Sequence, residues 1–503
     1  MSRLVVSTLA FVFVLKVFLL VWIGPVYTDD SPTYAGFADA ILRSSHWLHN
    51  ADLDSAAQPL TTYRPLGYPA VIALAKLCAG QIWAYTITIV QNAVSLVAFV
   101  VIVNLGLTVG LSVGAATFAA LAWAFFQLPY DQAIMTDSLN ANFIIFAVAT
   151  FLRGSMEGRP LRFGQAAVSG ILLAAAFLFR DVMSYLAISL LPLLLIRCGL
   201  TKDARQFLRF APFVFVCLPL AATDAAYRLW NFHRTGYYFV TTIPQTNALT
   251  ATMYAARYQP KIFSGDSVLE KHARPFFAKY DFPEALKIND ALFKDGYRAP
   301  EISRMAMDKY LDTWRHHPLA MLTLIQITIS ESVLKLIVRP IGAVCELFEL
   351  AHMPPCYDYR DLYRILFHHP RDMDLDQVGM FALITIQNSI SITLSALYFF
   401  GVPLLAIAAL RRDRLMIDRP LLIVAGFWAF GVGWYLIYCE AMYTTRYMTV
   451  VLPFMAMGAL FAARRLGEHY KDKLPWPRRG SMLAPMGRRT LSGHDDDQLP
   501  PRL

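Results

Sequence analysis

Apolar residues along this chain gather into long blocks separated by short polar intervals. The first block, Leu4 to Gly24, is interrupted only by Lys16. Similar blocks recur near 83–105, 108–126, 136–152, 163–179, 182–197, 206–222, 380–410, 420–439 and 446–466. A helix needs ~20 largely apolar residues to cross a hydrocarbon core. The pattern therefore predicts an all-α polytopic membrane protein with about ten transmembrane helices. Two other apolar stretches break the alternation of sides. Gly67 to Gly80 is too short to span, and Leu319 to Val338 holds Glu331 and Lys335 and would put 380–410 on the wrong side. Both are expected as interfacial or re-entrant helices. A different periodicity follows Ser31 and Pro32, where Tyr34, Phe37, Ala38, Ile41 and Leu42 recur at helical spacing. It predicts an amphipathic juxtamembrane helix, with Ser31 as N-cap and Pro32 at the first helical position.

Composition sharpens this picture. Of 503 residues only 16% are charged and 56% are hydrophobic, with a mean hydropathy of +0.44. A disordered chain needs the reverse balance, and so few charges could not coat one soluble globule. The net charge of +9 follows from the positive-inside rule, so it carries no nucleic-acid signal. Arginines and lysines gather at 153–162, 197–209, 411–419 and after Arg464, whereas 127–138 has none and carries Asp131 and Asp137. The basic loops are assigned to the cytoplasm of a plasma or inner membrane, with both termini inside, and 127–138 to the outside. Leu4–Gly24 is expected to be retained rather than cleaved as a signal peptide, since no small-residue cleavage site precedes Tyr27. Lys16 within it suits a snorkelling or bundle-facing residue.

Four regions follow. Residues 1–222 form an amino-terminal transmembrane module with surface helices within 31–80, and 223–378 form an extracytoplasmic loop region. Residues 379–466 supply the last spans. Residues 467–503 are a basic, Pro-containing tail expected to be disordered and attracted to lipid. Of six cysteines, Cys78, Cys198, Cys217 and Cys439 sit in or beside apolar blocks as packing residues. Cys345 and Cys356 fall in the outer region, where a disulfide is chemically allowed.

Candidate chemistry clusters on the outer side. Asp29 and Asp30 stand at the entrance of the surface helix; capping explains one carboxylate well and two adjacent ones less well. Arg64-Pro65-Leu66-Gly67-Tyr68-Pro69 fixes a guanidinium in a rigid turn, which suits a phosphate as well as a lipid headgroup. Asp137 opens the fourth block, Arg180-Asp181 joins two spans and suits an internal ion pair, and Arg446-Tyr447 opens the last.

Asp30-Ser31-Pro32-Thr33-Tyr34, Arg64 through Pro69, Thr136-Asp137, Phe179-Arg180-Asp181 and Arg446-Tyr447, in this order, resemble the motifs of GT-C glycosyltransferases, the membrane enzymes related to protein O-mannosyltransferases and the lipid A aminoarabinose transferase. The likeness covers most of 1–230 and 380–466; between them only His317-Pro318 matches. Where that family shows Thr-Arg-Pro, this chain has Phe179-Arg180-Asp181. The resemblance implies a GT-C-like fold and a sugar donor linked to polyprenyl phosphate. It also implies a glycan, lipid or protein acceptor and inversion at the anomeric carbon. With no large soluble carboxy-terminal domain expected, the resemblance is expected to disfavour the oligosaccharyltransferase branch. Asp30 becomes the expected catalytic base, supported by Asp29. Arg64, Arg180 and Arg446, with Tyr68 and Tyr447, become the donor-phosphate ligands, and Asp137 supports them or holds a divalent metal such as Mg or Mn.

Two other classes compete. Intramembrane charges at Lys16, Arg180-Asp181 and Glu331-Lys335 would suit a transporter or flippase, but no internal repeat is visible. A glycan polymerase or ligase also has many spans and a large outer loop, but would not be expected to carry its acid pair directly after the first span.

Overall fold

The computed structural model describes residues 2–51, 53, 59–181, 187–200, 206–276, 282–332, 338–353, 375–411, 418–441 and 445–471. The chain divides into two compact units, Met1–Ala463 and Arg464–Leu503. The second is described only through residue 471, where it is helical and Arg464 Nε meets Glu468 at 2.8 Å. Residues 472–503, most of the basic tail, lie outside the described residues, as do Lys335 and Cys356.

The first unit is nearly all helix. Among the described residues the β-structure is one isolated bridge, Val26 with Ala133. Among the described residues, six helical segments are long and apolar enough to cross a membrane: Arg3–Trp22, Gly67–Thr108, Val113–Gln132, Arg209–Thr235, Asp376–Ala409 and Arg419–Ile437. Asp137–Leu152, Phe163–Phe179, Ala187–Gly199 and Pro318–Ile327 are apolar but shorter. Bulky apolar side chains such as Val14, Val21 and Leu404 remain exposed on this bundle, as they must be if lipid is their solvent.

Several boundaries differ from the expectation, each for a local reason. The helix Gly67–Ala79 is joined to Trp83–Thr108 by the turn at Gly80 (φ 54°) and Gly80–Ile82, and it folds back on that helix, so that Tyr68 meets Gln91 at 2.7 Å. The interval 127–138 is not an open outer loop, because Val113–Gln132 continues through Pro129 and buries Asp131 completely. The last predicted span opens as a 3-10 segment, Thr445–Val450, before a helix begins at Leu452. Trp123 and Trp434 fix that segment by donating their indole N–H groups to the carbonyls of Thr449 (3.0 Å) and Tyr447 (2.9 Å).

Residues 249–321 build a second apolar core outside the bundle, from Leu249, Met253, Phe263, Ile288, Leu292 and Met321 among others. Its rim is held by Lys309 Nζ on Glu270 at 2.7 Å.

Asp131 explains how the bundle tolerates a buried charge. Its carboxylate pairs with Lys16 of the first helix and accepts hydroxyls from Ser95 at 2.8 Å and Ser138 at 2.5 Å. Lys16 also donates to Asn92 Oδ1 at 3.3 Å. Lys16 is thus bundle-facing and does not snorkel. Removing one partner of a buried pair leaves an uncompensated ion, which typically costs ~3–5 kcal/mol. Lys16→Met should therefore lower the thermal unfolding midpoint in detergent sharply, and Lys16→Met combined with Asp131→Asn should recover most of the loss. Equal midpoints for Lys16→Met and the parent would refute the pairing.

Candidate functional site

The entrance of the surface helix is sewn to the turn before Asp137–Leu152. Val26 N–H donates to the Gln132 carbonyl, and Ile134 N–H to the Val26 carbonyl, both at 2.9 Å. Ser31 adds a hydroxyl bond to the Ile134 carbonyl at 2.9 Å, and accepts from Thr28 N–H at 2.8 Å. These bonds bring Asp29 and Asp30 beside Asp137, which lies far from them in sequence.

Ser31 is therefore not the N-cap. The helix runs Ser31–Arg43 with Asp30 at the cap position, yet the Asp30 side chain makes no capping hydrogen bond. Its carboxylate instead joins two guanidiniums, pairing with Arg64 and accepting from Arg446 Nη1 at 3.0 Å. Capping does not account for this acid; two arginines do.

Each cation is positioned by its neighbours. Arg64 donates Nε to Thr33 Oγ1 at 2.8 Å and Nη1 to Tyr34 at 3.2 Å, and lies 4.5 Å and 4.7 Å from the ring centroids of Tyr34 and Tyr63. The turn that carries it closes on the end of the Phe163–Phe179 helix, where a Cβ on Gly67 would sit 2.6 Å from the Leu178 carbonyl oxygen. Only glycine permits that approach. Arg180, just past this helix, pairs with Asp137 and stacks 4.2 Å from the Tyr447 ring. Asp181 accepts the Thr241 hydroxyl. Arg446 donates Nη2 to Tyr447 at 3.2 Å, while its buried Nε has no partner.

Together these groups line a half-open cavity of about 290 Å³ containing Asp29, Asp30, Arg64, Asp137, Arg180, Arg446 and Tyr447. Asp29 is exposed there and bonds to no other described residue. Tyr68 is the exception among the predicted site residues. It is fully buried beneath Tyr34, ring centroids 5.2 Å apart, and donates its hydroxyl to Gln91 at 2.7 Å. That placement supports Tyr34 and offers nothing to a ligand in the cavity. Cys345 is disulfide-bonded, while Cys356 lies outside the described residues. Ile243, Asn247 and Leu350 also line the cavity; their segment showed no motif, and only tertiary folding brings them here.

The charges act on one another. Burial alone would raise the Asp30 carboxyl, but the Arg64 and Arg446 guanidiniums outweigh it and hold it at about 2. Asp30 and Asp137 both sit on guanidiniums, and the described residues hold no group of three metal-ligating side chains.

No family model matches the chain, and no curated protein sequence does. Among solved structures it is similar to the oligosaccharyltransferase AglB of the archaeon Archaeoglobus fulgidus in complex with an inhibitory peptide and a dolichol-phosphate, at 13% identity and TM-score 0.46, covering 97% of this chain and 53% of that one. The apo form of the Archaeoglobus fulgidus oligosaccharyltransferase gives 14% identity and TM-score 0.47, covering 93% and 51%. The chain spans about half the length of these structures. At this identity and overlap they assign it no donor or acceptor.

The clasp on Asp30 has a pH signature. The folded carboxyl at about 2 lies below the ordinary ~3.9 of an unfolded aspartate, so the folded state holds the charge more tightly. Its stabilisation is complete above pH ~4 and fades as pH falls towards ~2. The stability gap between the parent and Asp30→Asn should be constant above pH ~5 and close below pH ~4. A gap that grows on acidification would contradict the clasp.

Proposed function

We propose that this protein is an inverting membrane glycosyltransferase that moves a sugar from a polyprenyl-phosphate donor to a hydroxyl of an extracytoplasmic glycan, lipid or protein. The observation that carries the reading is the convergence of Arg64, Arg180 and Arg446 on one cavity, in a chain of which only 16% is charged. Charge of that kind is expensive beside lipid and is kept where an anion must be met. Guanidiniums present paired donors matched to phosphate oxygens, and the unpartnered Arg446 Nε adds another donor.

In this mechanism the acceptor oxygen attacks the anomeric carbon as the bond from that carbon to the phosphate oxygen breaks. The phosphate leaves with the electron pair, and Arg180 and Arg446 stabilise its growing charge. The acceptor proton passes to a carboxylate. Asp30 is the proposed base, yet an acid held at about 2 is a poor base at neutral pH. The two facts are compatible if the donor phosphate takes over Arg64 and Arg446. Asp30 then loses its counter-charges, and its proton affinity rises only while donor is bound. Asp29, beside it and without an ion pair among the described residues, orients the acceptor.

The direct test is transfer of radiolabel from an isolated polyprenyl-phosphate sugar to a hydroxyl acceptor by purified protein. Asp30→Asn should lower turnover by ~10²-fold or more, and Asp29→Asn by less. The parent's kcat/KM reports the free enzyme, so it should show no acid limb from Asp30 above pH ~4. Near-normal turnover in Asp30→Asn would remove it from the base role, and no transfer from any polyprenyl-phosphate sugar would end the reading.

A further inference from the structure

The Asp137–Leu152 and Phe163–Phe179 helices are consecutive and packed together, and the pocket described above sits where the first begins and the second ends. Their other ends lie about 24 Å away, at ~1.5 Å per residue over 16 residues. There Arg153, Gly154, Glu157, Arg159, Arg162 and Gln165 line a second cavity of about 410 Å³. Glu157 is taken by Arg159 Nε at 2.6 Å. Arg153 and Arg162 have no carboxylate partner among the described residues.

A basic loop that only sets topology needs charge, not shape. This one has shape. Arg197 is completely buried, with Nε on the Phe151 carbonyl at 2.8 Å and Nη2 on the Arg153 carbonyl at 3.2 Å. Its Nη1 has no partner, so its charge is met only by carbonyl dipoles. From another side Arg419 Nη1 holds the Met156 carbonyl at 2.5 Å. Gly154 and Gly158 turn the chain with φ of 76° and 71°, and a Cβ on Gly158 would lie 2.3 Å from Arg419 Nη2. Two arginines thus fix the loop by its backbone, and two others remain to meet a ligand. Burying the Arg197 charge beneath them without a counter-ion is unfavourable, and an anion in the cavity would offset that cost.

We propose that this cavity is a second phosphate site, at the opposite membrane face from the reaction pocket, which takes the phosphodiester of an anionic phospholipid. Free phosphate carries the same oxygens and is the other source of that chemistry. Guanidinium pairs suit those oxygens, and a leaflet of anionic lipid concentrates them beside basic loops. The inference is independent of the glycosyltransferase reading.

The test compares full-length protein with Arg153→Gln/Arg162→Gln, using native mass spectrometry and thermal unfolding in detergent with phosphatidylglycerol, phosphatidylcholine or inorganic phosphate added. Both arginines are exposed, so the variant should fold, and helical circular dichroism with an unchanged midpoint in lipid-free detergent checks this. The parent should retain phosphatidylglycerol, gain thermal stability from it and ignore phosphatidylcholine, while the double variant should bind it about tenfold more weakly. Displacement of the lipid by inorganic phosphate would show that the phosphate oxygens suffice, and resistance to it would assign the site to the intact lipid. Equal retention and equal stabilisation in parent and variant would overturn the proposal.

Discussion

The arrangement of the candidate pocket depends on one carboxylate shared between two guanidiniums. Asp30 pairs with Arg64 and accepts from Arg446 Nη1 at 3.0 Å, so three segments far apart in sequence meet on it. Without that anion, Arg64 and Arg446 would be like charges held close in a partly buried site, an unfavourable placement. The clasp therefore assembles the pocket and also blocks it. A ligand phosphate must compete with Asp30 for the same donors, and the acid it displaces is the one proposed to take the acceptor proton.

The surrounding bundle is built to hold that clasp still. The strand-like pairing of Val26 with the backbone around Ala133 sets Asp30 against Asp137. The same turn is anchored from below, because Ser138, next to Asp137, donates to the Asp131 carboxylate that Lys16 neutralises. Two indole donors hold the Thr445–Val450 segment that presents Arg446. Apolar packing supplies the stiffness, and a few fully partnered polar groups set the register.

Much of the site was legible because charge is scarce in this chain. Asp29, Asp30, Arg64, Asp137, Arg180 and Arg446 stood out against apolar blocks, and the pocket gathers all of them. Pairing was less legible. Arg180 read as the partner of its neighbour Asp181, whereas the pairing with Asp137, 43 residues earlier, was not visible in the sequence. Asp131 read as a loop acid because its counter-ion, Lys16, lies on a helix more than a hundred positions earlier. Tyr68 shares a motif with Arg64 yet serves the core beneath it. Long apolar runs marked the helices, but the start of the last one was not legible, because Thr445–Val450 is a 3-10 segment.

The central claim is that Asp30 competes with phosphate for Arg64 and Arg446, and it is tested most directly by equilibrium binding of unsugared polyprenyl phosphate to the parent and to Asp30→Asn in detergent. Removing a negative charge that occupies the anion site should tighten this binding by several-fold at low salt, with the gain shrinking as ionic strength rises. Weaker binding by Asp30→Asn, folded under the assay conditions, would contradict the account and make Asp30 a group that helps to hold the phosphate site open.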